Sequence, residues 1–206
     1  MSCSWIESMK KKVPIEKFYY YGNPRMVALV VSKGAQGPNI ITVAMHSPMS
    51  LTPPRYGIGI DKRRYSYSLL QEKGEFTVNF APFLHVDKVH FCGRNSGRGR
   101  DKFKESGFTQ AKAETIEVPI IKECYAHYEC KVVDKYDAGS HVWFVGDVLN
   151  VIIDTDAFDL EKGILAERWK PTYYLGNNTY TTLAYNRRTF EKKVIFAVYP
   201  EGRKSK

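Results

Sequence analysis

Apolar and polar positions alternate in short runs along most of this chain, a rhythm that predicts strands rather than long helices. Residues 26–33, MVALVVSK, form a β-branched apolar run closed by the turn signal GAQGPN, and 39–46, NIITVAMH, resume strand character, which predicts a first hairpin. Pro53 and Pro54 interrupt the chain before RYGIGI at 55–60, where Tyr56, Ile58 and Ile60 alternate with smaller residues as in a half-buried strand. YSYSLLQEK, 65–73, stops at Gly74 and reads as a helix, and EFTVNF at 75–80 returns to period two. HVDKVHFCG and DKFKESG read as two further short helices, the second with Asp101 at its start and Gly107 at its end. The clearest hairpin spans 123–154, turning at Asp137-Ala138-Gly139. Its second strand puts Val142, Phe144, Gly146 and Val148 on one face and His141, Trp143, Val145 and Asp147 on the other. Many short strands with little long-helix signal predict a mostly β fold, a β-barrel with short helices attached.

Length and composition sharpen this picture without changing it. A chain of 206 residues with 43% apolar content is long enough for one domain with a substantial core. The formal charge is +9, of which the tails 1–17 and 200–206 carry +4. Cys3, Cys92, Cys124 and Cys130 form no CxxC pair and no zinc-like spacing, so no metal site is expected and a reducing, cytoplasmic setting is. Cys124 and Cys130, six apart on one extended strand, lie too far apart to bridge. No apolar run approaches the length of a membrane span, and no signal peptide is expected.

Two segments carry candidate chemistry. Residues 92–103, CGRNSGRGRDKF, combine Gly93, Gly97 and Gly99 with Arg94, Arg98, Arg100 and Lys102, which suits a multi-oxygen anion such as phosphate. KRRYS at 62–66 is a second phosphate-friendly segment just before the helix at 65–73. A solvated surface turn explains the first segment equally well, and basic neighbours would favour the Cys92 thiolate were it exposed. GxGxxG after a strand and GxxxxGK[ST] are both absent, so a doubly wound dinucleotide fold is not expected. Gly57-Ile58-Gly59 reads as tight packing within a strand.

In order along the chain stand NIITVA at 39–44, Pro53-Pro54, GEFTVN at 74–79, Ser96-Gly97-Arg98 with Asp101-Lys102-Phe103, and Gly139-Ser140-His141 followed by Phe144-Val145-Gly146. Jointly they resemble the flavin reductase-like family, and within it the flavoredoxin-type FMN-binding split barrel, from about residue 24 to about 185. The resemblance implies a single Greek-key-like split-barrel domain over 1–206 with bound FMN, assembled as a homodimer. It also implies transfer of reducing equivalents from NAD(P)H through the flavin to a small-molecule or protein acceptor.

Position by position, Asn39 and the strand Thr42, Val43, Ala44 and Met45 would lie along the flavin. Arg64 and Ser66 would reach the flavin or its phosphate tail, and Lys102 would neutralise the phosphate region beside Ser96 and Gly97. His141 would face the ring, as the one candidate catalytic residue, orienting a donor or tuning the flavin. Trp169 would pack beside the flavin, in its own or the partner subunit's site. Met45 departs from the tryptophan frequent in similar proteins, so it offers no indole N–H. Read from the residues alone, His141 also fits a structural strand position, Met45 a core filler and Trp169 a packing residue.

A flavoredoxin-like carrier that holds FMN without oxidising NAD(P)H is the alternative role. An alternative of another class is a polyanion or nucleic-acid-binding barrel, motivated by a pI near 9.3. The aromatic residues are not interleaved with the basic ones as a stacking platform requires, which argues against nucleic acid.

Overall fold

The computed structural model describes residues 10–159 and 163–184. Cys3, residues 1–9 and 200–206 of the basic tails, and the expected core limit at 185 lie outside them. Among the described residues seven strands form the main sheet: β1 (Ala28–Gly34), β2 (Gly37–Val43), β3 (His46–Leu51), β4 (Pro54–Asp61), β5 (Glu75–Phe80), β6 (Ala126–Asp137) and β7 (His141–Ile153). Their spatial order is β2-β1-β5-β6-β7-β4-β3, with every neighbouring pair antiparallel. Residues from both halves of that order share one core. Val30, Ile41 and Val43 of β1 and β2 pack with Tyr56, Ile58 and Ile60 of β4 and with Val142 and Phe144 of β7. The Gly59 N–H donates to the Met45 carbonyl at 2.7 Å across the seam. The sheet therefore curls into the mostly β barrel that the strand pattern predicts, split as the family resemblance implies.

Period-two alternation explains which side chains enter that core. On β7 Val142 and Phe144 are buried, and a Cβ on Gly146 would meet the Phe76 ring at 2.8 Å, while His141, Trp143, Val145 and Asp147 are only partly buried on the opposite face. The hairpin turns at 138–140, where Gly139 has φ of 94° and its N–H donates to Asp137 Oδ1. Gly57 and Gly59 are indeed tight: a Cβ would meet Met49 at 2.8 Å and Met45 at 3.0 Å respectively.

Two expected boundaries move. The strand expected over 39–46 ends at Val43, and His46 opens β3, because the chain here passes from pairing with β1 to pairing with β4. His46 fixes that passage, accepting from the Tyr56 hydroxyl at Nδ1 (2.7 Å) and donating from Nε2 to the Met26 carbonyl (2.9 Å). Pro54, expected to belong to a break, opens β4, so residues on both sides of Thr52-Pro53 form a hairpin.

Three short helices flank the site, α1 (Tyr65–Lys73), α2 (Val86–Arg94) and α3 (Lys102–Ser106), and a fourth, α4 (Ala166–Trp169), lines neither of its cavities. The outer face of the first hairpin, with Leu29, Val31 and Ile40, packs on Val89 and Cys92 of α2 and Phe103 of α3 in a second core. α3 starts where Asp101 Oδ1 accepts from the Lys104 N–H at 3.1 Å, and it stops at Gly107, φ 70°. Cys92 and Gly93, which belong both to the helix expected over 85–93 and to the glycine-rich segment, form with Arg94 the last turn of α2, where a Cβ on Gly93 would meet Thr42 at 3.2 Å. Cys92 is wholly buried, and burial pushes its thiol up to about 11 against the pull of Lys102, so the conditional thiolate does not form. Among the described residues no helix is long and apolar enough to cross a membrane.

One buried carboxylate ties the segment before β6 to the barrel. Glu129, wholly buried on β6, accepts from the Glu114 and Thr115 N–H groups, the Thr115 hydroxyl and the Asn150 amide. Burial raises its pKa, but these donors outweigh burial and hold it below the usual carboxylate value. A depressed folded pKa means that the stabilisation is present above about pH 4.3 and fades as pH falls through the native value. Glu129→Gln, which turns an amide N–H toward donors, is expected to cost about 2 kcal/mol at pH 7 and to flatten the acid side of the stability profile. Urea titrations from pH 7 to pH 3 check this; identical slopes for both proteins would contradict it.

Candidate functional site

The split between β2 and β4 opens into a cleft of about 600 Å³. One wall is the end of β2 and the bend after it, Thr42, Val43, Ala44 and Met45; the other is Gly59, Ile60 and Asp61 of β4, with Arg64 and His141 nearby. Thr42 is held against the helical layer, its hydroxyl donating to the Val89 carbonyl of α2 at 2.6 Å. His141 begins β7 directly opposite Asp61, and its Nδ1 lies 2.9 Å from Ser140 Oγ. Arg63 forks onto Asp61 at 3.0 and 2.7 Å, which holds the Asp61 carboxyl far below the usual carboxylate range.

Beyond the Gly93 end of this cleft lies a smaller polar cavity of about 80 Å³, and the two share Ile41, Arg64 and Gly93 as common wall. Asn39, Ser66, Ser96, Gly97 and Lys102 all line it. Asn39 Nδ2 donates to Ser66 Oγ at 2.8 Å, leaving the Ser66 O–H able to donate onward, while Asn39 Oδ1 is buried with no hydrogen-bond partner among the described residues. Gly97 must be glycine for a steric reason: a Cβ there would lie 2.7 Å from Asn39 Cγ. Helix α1 begins at the cavity edge with Arg64 as an extended N-cap whose side chain makes no capping bond; the Tyr67 N–H donates to the Arg64 carbonyl at 3.0 Å, and the Tyr65 and Ser66 N–H groups before it have no acceptor among the described residues.

Lys102 is brought to this cavity, but its ammonium is not a free surface charge. Only 3% exposed, it donates to the carbonyls of Cys92 (2.7 Å) and Asn95 (2.8 Å), fastening the end of α2 to the loop before α3. Burial, with the nearby charges of Arg64 and Arg100, lowers its pKa to about 8. The other cations of 92–103 separate: Arg94 lines the large cleft, Arg100 pairs with Glu105 at 3.1 Å, and Arg98 lines neither cavity.

The structure thus gathers Asn39, Thr42, Val43, Ala44, Met45, Arg64, Ser66, Ser96, Gly97, Lys102 and His141 along one continuous depression. It does not bring Trp169 there within this chain. Trp169 packs edge-on to Tyr125 at 6.2 Å, and its indole donates to the Asp156 carbonyl. Sequence reasoning missed Arg25, Tyr174 and Tyr180, which line the cleft from a separate small sheet. Among the described residues no three His, Cys, Asp or Glu side chains are grouped to hold a metal.

The sequence matches the family described as a flavin reductase like domain over residues 20–192. The chain belongs to the flavin reductase-like family. An uncharacterized protein of Archaeoglobus fulgidus is 36% identical to it over 131 residues, 64% of this chain and 73% of that protein. An FMN-binding protein from Thermus thermophilus, crystallised with bound 1-cyclohex-2-enone, is similar with a TM-score of 0.76 and 29% identity, covering 87% of this chain and 97% of that one. A flavoredoxin from Methanosarcina acetivorans is similar with a TM-score of 0.77 and 26% identity, covering 89% and 96%. This flavin reductase-like chain therefore shares the split barrel of FMN-binding proteins, flavoredoxins among them.

Replacing Lys102 by alanine would orphan two carbonyls and empty the space of its stem. Lys102→Ala is expected to lower the unfolding free energy by about 2–4 kcal/mol, measured by urea denaturation at pH 7. A change below about 0.5 kcal/mol, the scale of ordinary surface substitutions, would show that the two contacts carry no weight.

Proposed function

We propose that this flavin reductase-like protein is an FMN-dependent oxidoreductase that passes reducing equivalents from NAD(P)H through its flavin to an acceptor. One observation carries the reading: a phosphate-sized polar cavity at the start of a nine-residue helix opens across a shared wall into a cleft of ligand size. The donor set fits FMN. The Ser66 and Ser96 hydroxyls and the Tyr65 and Ser66 amides at the start of α1 supply hydrogen bonds to a phosphate, Arg64 supplies charge, and the remaining N–H of Lys102 adds to both. The residues Thr42–Met45 offer backbone groups to the polar edge of the ring, and His141 stands where it can orient a donor or tune the flavin. When bound, FMN supplies a ring that accepts hydride at N5 and releases electrons singly or in pairs.

In the same reading the chain forms one domain and works as a homodimer. The exposed Met49 and Leu51 of β3, close to a shallow groove that Met45 and Trp143 line, offer apolar surface for a second copy. Buried, unpaired Cys92, Cys124 and Cys130 fit a reducing cytoplasm. The likeness to a flavoredoxin favours a second role, a carrier that holds FMN and exchanges electrons with proteins.

Purified protein supplied with FMN is expected to retain the yellow absorption of oxidised flavin through gel filtration and to lose it on anaerobic mixing with NADH or NADPH. Absence of retained flavin would overturn the reading; retained flavin that neither nucleotide bleaches would leave the carrier in place of the reductase. FMN binding at pH 8 is also expected to take up protons, because a phosphate dianion favours the ammonium form of Lys102, whose pKa of about 8 leaves it partly neutral there. Calorimetry in buffers of different ionisation enthalpy reads that uptake, and an enthalpy independent of buffer would refute it.

A further inference from the structure

The outer half of the large cleft is built by residues that the FMN assignment leaves unused. A three-stranded sheet places Arg25–Met26 beside Tyr173–Gly176, and Tyr173–Gly176 beside Thr179–Thr181. In its register Arg25 lies opposite Tyr174 and Tyr174 opposite Tyr180. Directly opposed residues of an antiparallel sheet share a face, and all three of these line the cleft. The Tyr174 and Tyr180 rings, 5.1 Å apart, form an aromatic wall, with the Arg25 guanidinium at one end. Arg94, at the end of α2, lines the same space from the opposite layer.

Charge in this half does not cancel. Of the two carboxylates lining the cleft, Asp61 is engaged by Arg63, and Glu16 stands exposed at the rim. Neither Arg25 nor Arg94 has an ion-pair or side-chain hydrogen-bond partner among the described residues. Guanidinium groups recognise carboxylates through paired, planar hydrogen bonds, and tyrosine rings favour a flat partner.

We infer that this half of the cleft is the substrate site, and that it takes a planar aromatic carboxylate whose ring lies against Tyr174 and Tyr180 and whose carboxylate sits between Arg25 and Arg94. The inference rests on the FMN reading, since it assigns the space that a flavin along Thr42–Met45 leaves open.

The test titrates FMN-loaded full-length protein with benzoate and with its neutral analogue benzamide, in buffer free of phosphate, following the flavin spectrum. Benzoate is expected to bind at least about tenfold more tightly than benzamide, as a charge-assisted pair requires. Arg25→Gln and Arg94→Gln, made singly, are each expected to reduce that preference about tenfold while FMN is still retained. Equal affinities for the two probes, no binding of either, or a preference that survives both substitutions would overturn the inference with the FMN reading intact. Wild-type protein that retains no FMN would overturn both.

Discussion

The hairpin of β1 and β2 is buried on both faces, and the site depends on that double burial. Toward the barrel, Val30, Ile41 and Val43 meet the core of β4 and β7; away from it, Leu29, Val31 and Ile40 meet α2 and α3. A strand covered on both sides has nowhere to shift, because a slip of one residue would exchange the two sets of apolar side chains. Its polar residues are then fixed as firmly as its apolar ones. Asn39 is held at Ser66 of α1, and Thr42 at the Val89 carbonyl of α2. Three pieces of chain distant in sequence, β2, the start of α1 and the end of α2, converge on one depression.

Convergence alone would bring too much positive charge together, and the structure distributes it. Arg63 is absorbed by Asp61 and Arg100 by Glu105. Lys102 is drawn inward onto two carbonyls, where burial lowers its proton affinity until it approaches neutrality in mildly basic solution. Arg64 remains beside the small cavity, and Arg25 and Arg94 remain beside the large one. The net charge of the chain therefore says little about its ligands. The guanidinium groups that keep no partner among the described residues say more, because an anion supplies what they lack.

Much of this was legible beforehand. Alternation identified β4, β5 and β7, and the Asp101 and Gly107 signals marked both ends of α3, because strand faces and helix caps are local physics read over a few residues. The resemblance set Lys102, Ser96 and Gly97 at a phosphate, Ser66 at the flavin or its phosphate tail and Asn39 along the flavin, and all five residues line one cavity. The helix expected over 85–93 matches α2 to within a residue at each end, but why position 93 is glycine was not legible, since Thr42, 3.2 Å from where its Cβ would be, is distant in sequence. Trp169 is conspicuous in the sequence, yet within the chain it belongs to the Tyr125 side of the core.

By itself the sequence determined the strand periodicity, the turns, the helix caps and the family, all of which depend on neighbours along the chain or on motif order. Tertiary structure decided how each charge is used. Lys102 became an internal clasp because two carbonyls sit within reach of its ammonium, and Arg25 joined Tyr174 and Tyr180 because a small sheet pairs segments about 150 residues apart. Electrostatic energy depends on distance and burial in space, and neither quantity is written in the spacing of residues along a chain.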